Sequence, residues 1–84
     1  MPKIATYKKW RIRIYTNDHE PPHVHVIGDG EQAVFHLNCE HRRRDATVDR
    51  SRVYNMKRRD IARIREHLSD NINDYCAAWE RIHG

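Results

Sequence analysis

The chain has 84 residues, 38% hydrophobic and 33% charged, which supplies one domain with a thin core and too little chain for two. Fifteen bases and eight acids over residues 1–65 give that stretch +7, whereas one base and four acids over residues 66–84 give −3, for a net +4. No run of 18 apolar residues could span a membrane, the first ten residues (MPKIATYKKW) carry no apolar leader region, and two cysteines are too few for a disulfide scaffold, so a cytoplasmic chain with reduced thiols is expected.

Residues 4–7 suggest a short strand, and residues 10–15 (WRIRIY) alternate strictly, with Trp10, Ile12 and Ile14 on one side and Arg11, Arg13 and Tyr15 on the other. Such alternation marks a half-buried strand. Residues 17–22 (NDHEPP) read as loop, because Pro21 and Pro22 lack ladder donors. Residues 23–37 (HVHVIGDGEQAVFHL) form a predicted hairpin around Asp29-Gly30, a pair that favours a type I′ turn. Centring on that turn opposes His23 to His36, Val24 to Phe35 and His25 to Val34. Val24, Val26, Ala33, Phe35 and Leu37 then share one face, an apolar set that a one-residue slip would scatter. His23, His25 and His36 emerge together on the other face, which is expected to be solvated.

The stretch from Cys39 to Arg52 is polar and Arg-rich, with Ala46–Val48 as a candidate edge strand. Asn55 is a candidate N-cap, and Ile61, Ile64, Leu68, Ile72, Tyr75, Trp79 and Ile82 recur at helical spacing. One long helix, or two meeting near Ser69-Asp70-Asn71, both satisfy that pattern. The expectation is one α+β domain over residues 1–84: an antiparallel sheet of three or four strands over about 3–48, its apolar face closed by helix over about 56–82.

The run NDHEPPHVHV (residues 17–26), followed by Gln32, Ala33 and Val34 and by a late Trp79, resembles the bacterial family known as domain of unknown function 4160. The similarity extends over nearly the whole chain, from the MPKI start to the amphipathic C-terminal helix, and departs from the family pattern in the Arg-rich middle. The resemblance assigns no reaction. It implies a context, one half of a two-gene toxin–antitoxin pair whose other half is a small protein of another family, domain of unknown function 2442.

His19, His23, His25 and His36 are the candidate catalytic residues. Two imidazoles can act as acid and base near neutral pH, and a metal-independent ribonuclease needs such a pair with cations for the phosphorane. Arg11, Arg13 and the run Arg42, Arg43, Arg44, together with Arg58 and Arg59, are the candidate nucleic-acid contacts, since the guanidinium fork grips phosphate in two places. RNA is therefore an expected partner, and a small antitoxin-like protein is the partner that the resemblance implies. The alternatives are a non-catalytic nucleic-acid- or protein-binding regulator, and a metal-binding protein in which His19, His23 and His25 hold zinc, with His36 or Asp18 completing the site. Cys39 and Cys76, with no C-x-x-C partner, are not expected as ligands.

Overall fold

The structure is a computed structural model that describes residues 3–40 and 42–83, the side chain of Lys3 excepted. The first two residues of the MPKI start lie outside the described residues. Five strands, β1 (Lys3–Tyr7), β2 (Trp10–Arg13), β3 (His23–Gly28), β4 (Glu31–Glu40) and β5 (Arg43–Tyr54), are followed by α1 (Arg58–Asp70) and α2 (Ile72–His83). The sheet is an antiparallel meander in the order β1-β2-β3-β4-β5. It has one strand more than the sequence suggests. The candidate edge strand at Ala46–Val48 is the middle of the 12-residue β5, whose arginines face solvent while Ala46 is buried and Val48 and Val53 pack against the core. Because only one face of β5 needs apolar residues, and few of them, its composition shows three residues of strand and not its full length.

The β3–β4 register is the one that burial dictates: His23 opposite His36, Val24 opposite Phe35, Val26 opposite Ala33. Its turn differs from the expected one. Only Gly30 has a positive φ, 66°, whereas type I′ geometry demands it at both central residues; a positive φ at the second alone is the type II pattern. Gly28 is required for a different reason: a Cβ there would lie 2.8 Å from Trp10 Cδ1, so the missing side chain lets the indole of β2 close over β3.

The core joins Ile12, Ile14, Val24, Val26, Phe35 and Leu37 of the sheet side to Ile64, Leu68, Ile72, Tyr75 and Trp79 of the helices. These are the residues of the predicted helical stripe. Asn71 separates α1 from α2: its backbone N–H and side-chain amide both donate to the carbonyl of His67, which ends the first helix. Asn55 does not cap α1. It takes a left-handed φ of 60° and its amide donates to the Gly30 carbonyl, tying the end of β5 to the hairpin turn, while Lys57 holds the N-cap position with no side-chain cap. The two cysteines, expected as separate thiols, form a disulfide between Cys39 of β4 and Cys76 of α2, with Cα atoms 5.9 Å apart. A meander followed by helices folded back on the sheet brings residues 37 apart in sequence together, a proximity that spacing alone does not reveal. Among the described residues no helix is long and apolar enough to cross a membrane.

Candidate functional site

The site lies where the NDHEPP loop enters β3. Side chains of successive strand residues alternate between faces, so His23 and His25 project together, away from Val24 and Val26. The loop turns back on itself through reciprocal bonds: Asp18 N–H donates to the Tyr15 carbonyl at 3.0 Å, and Tyr15 N–H donates to Asp18 Oδ2 at 2.9 Å. This turn aims the Asp18 carboxylate at both rings. His25 Nε2 lies 3.2 Å from each carboxylate oxygen, and His23 Nε2 lies 3.4 Å from Oδ1.

The face that carries these rings is not open to solvent at this point. His23 is buried, its ring 5.3 Å from that of Trp79, and the side chains of Asp18 and His25 are only 12% and 17% exposed. Two features cover them. The Glu20–Pro21–Pro22 entry is anchored to α2 through a bond from Trp79 Nε1 to Glu20 Oε1 at 3.0 Å, and Tyr15 packs edge-on against His25 at 4.6 Å. The expectation of a solvated histidine face is corrected accordingly. Period-two alternation gives the side of the sheet but says nothing of what a neighbouring loop lays over it.

Electrostatics distinguish the members. Burial alone would raise the Asp18 pKa, but the Tyr15 N–H, the His25 ring bond and the charges of His25 and His23 outweigh it, so the carboxyl sits below its ordinary value. For His25, burial lowers the pKa, the Asp18 bond and charge oppose it, and His23 and Arg52 add to the lowering; the net value is below the ordinary 6.5. Near neutral pH the pair is an ionised carboxylate beside a neutral imidazole.

The other candidates fall into place around this centre. His36 stands across the ladder from His23, ring centroids 6.2 Å apart, but its Nε2 faces Asp49 Oδ2 at 3.2 Å, and its Nδ1 is buried with no hydrogen-bond partner among the described residues. Asp49 belongs to a bulge: Ala33 pairs with Val53 and Phe35 with Val48, so five steps on β5 match two on β4, leaving three extra residues. Ser51 donates to Asp49 at 2.6 Å, and this bond is the main reason the Asp49 carboxyl lies below its usual range. His19 is exposed and outside the cluster. Arg13 is the cross-strand partner of His25, and Arg11 the partner of Ile27, so both arginines stand on the same face as the histidine. A groove of about 290 Å³ is lined by His25, Val34, Ser51, Arg52 and Tyr54 among others, toward β4 and β5.

The remaining arginines are not gathered at the histidines. Arg43 pairs with Asp45 at 3.3 Å and Arg44 donates to Asn73 at 2.7 Å, both at the start of β5, while the exposed Arg42 precedes them in the turn. Arg58 and Arg59 open α1, beyond the other end of β5. Three residues of the centre carried less weight in the sequence than they deserve. Asp18 stood only as a completing metal ligand, although its place in the N-D-H-x-P-P-H-x-H run was the available signal; Asp49 and Arg52 carried none, because a bulge brings them in.

Comparison with known proteins returns one finding. No curated protein and no solved structure matches the chain. The family model for a domain of unknown function, DUF4160, covers residues 10–80, which takes in both the histidine centre and the helices that close the core, and the chain belongs to that family.

Proposed function

We propose that the chain is the toxin-like half of a two-protein bacterial pair and that it cleaves RNA on the sheet face that carries Asp18, His23 and His25. One observation supports this above the others: the β2–β3 register sets Arg13 directly across from His25, with Arg11 two residues along the same strand face. A phosphodiester held by those guanidinium groups lies against the imidazole. The Asp18–His25 pair, an ionised carboxylate beside a neutral imidazole, could take a proton from an attacking hydroxyl or hold a cation against it. Arg52 at the groove adds positive potential where charge develops on the phosphorane. His36, engaged with Asp49, supports the cluster from the neighbouring strand in this reading. RNA as substrate and a small cognate protein as inhibitor both call for a cytoplasmic location.

The test is induction in bacteria. Wild type should arrest growth, and His25→Ala and Asp18→Asn should each abolish arrest at matched soluble levels, while His19→Ala keeps it. Wild type without effect on growth, or arrest retained by both centre variants, favours the second reading: a binding module without catalysis. The position of Arg42 in the turn and of Arg43 and Arg44 at the start of β5, beyond the row that pairs His36 with Thr47, speaks for that second reading.

A further inference from the structure

We infer that Asp18, His23 and His25 hold one divalent first-row transition-metal ion, so that the reacting centre is a two-histidine, one-carboxylate metal site rather than a metal-independent acid–base pair. Its role in RNA cleavage rests on the reading above; its geometry does not.

The tautomer of His23 is the first argument. Its Nδ1 lies 2.9 Å from the Pro21 carbonyl, which can only accept, so Nδ1 carries the hydrogen. Nε2 is then the ring nitrogen left facing the Asp18 carboxylate, 3.4 Å from Oδ1, and the one placed to coordinate. A divalent cation between that nitrogen and the carboxylate would be bonded by both. A backbone carbonyl accepting from the far nitrogen is also the outer-sphere arrangement that orients metal-bound histidines and makes the coordinating nitrogen more basic.

Distances are the second argument. Metal–ligand bonds of about 2.0–2.1 Å at octahedral or tetrahedral angles separate neighbouring ligand atoms by about 2.8–3.4 Å. Asp18 Oδ1 stands 3.4 Å from His23 Nε2 and 3.2 Å from His25 Nε2, and one ligand atom from each of the three residues falls within 4.8 Å of the others. The third argument is orientation: the Tyr15 N–H fixes the carboxylate, and the Trp79 and Tyr15 rings limit where the imidazoles can turn. Two imidazoles with a single carboxylate suit zinc, cobalt, nickel or iron(II) better than magnesium or calcium, which prefer all-oxygen sites. Three protein ligands leave positions open for water or a phosphate oxygen.

Tag-free, chelator-stripped full-length chain titrated with zinc chloride in a calorimeter should show one saturable site per chain. Cobalt(II) in place of zinc should give visible absorption bands that zinc abolishes. Asp18→Asn and His25→Ala should each weaken binding at least about tenfold, since loss even of outer-sphere partners costs 10–100-fold. His19→Ala should leave it unchanged. Because His23 is buried, His23→Ala is read only if its circular dichroism matches wild type; Asp18→Asn decides the matter otherwise. Absence of saturable zinc binding, or binding that survives both Asp18→Asn and His25→Ala, overturns the inference. Zinc binding lost in Asp18→Asn in a chain that never cuts RNA leaves the metal site standing and removes the RNA reading. RNA cleavage with no saturable zinc binding does the reverse.

Discussion

Tyr75 and His67 show how a side chain's surroundings set its titration and, through it, stability. The Tyr75 hydroxyl lies 2.9 Å from His67 Nε2, whose ring stacks on Tyr7 at 4.2 Å. Burial, and secondarily the charge of Asp74, pushes the Tyr75 pKa from 10.0 up to about 12. The unfolded chain therefore loses this proton first as pH rises, and the stability it represents is present below pH 10 and lost between 10 and 12, on the order of 2 kcal/mol. Denaturant unfolding of wild type and Tyr75→Phe should show the wild-type advantage shrinking across that window, and a pH-independent difference would contradict the assignment. His67 has the opposite sign. Burial holds its pKa below 6.5 despite the charge of Asp70, so the folded state resists protonation and stability falls as pH drops below 6.5.

Cys39 and Cys76 join β4 to α2 across the core, closing a loop of 37 residues. On loop-closure entropy such a link limits the unfolded chain by about 3–4 kcal/mol. Reduction with dithiothreitol should lower the denaturation midpoint accordingly, and an unchanged midpoint would mean that the core alone fixes α2. This link was not legible in the sequence, whereas the strand-and-helix frame largely was. Burial of Val24, Val26, Ala33, Phe35 and Leu37 selects a unique hairpin register, and that register alone puts His23 across from His36. The helical stripe from Ile64 to Trp79 was legible for the same reason: periodicity records which face is buried. Where a feature depends on something other than a buried face, the signal disappears. β5 is an edge strand with a three-residue bulge, so neither its length nor the arrival of Asp49 beside His36 leaves a pattern. Asp18 reaches the histidines through a loop turn rather than a repeating element, and its loop and Trp79 bury a face that alternation marks as solvated.

Taken as a whole, the molecule measures 31 × 28 × 23 Å, and its arginines divide around the sheet rather than forming one patch. Arg43 and Arg44 lie at one end of the β4–β5 ladder, Arg58 and Arg59 follow its other end, and the row of His23, His36 and Thr47 falls between them. RNA affinity should fall steeply with salt as phosphate counterions are released, and replacing Arg42, Arg43 and Arg44 together with Ala should flatten the slope by up to about three contacts. An unchanged slope would move the interface to Arg11 and Arg13 or to the start of α1. RNA cleavage by this chain requires chemistry at the Asp18–His25 contact. The most direct measurement is cleavage of end-labelled RNA by the purified chain, comparing wild type with His25→Ala at equal concentration and equal RNA binding. The account predicts a loss of about 2–4 decades in rate with binding nearly intact; a His25→Ala chain that cuts as fast as wild type would contradict it.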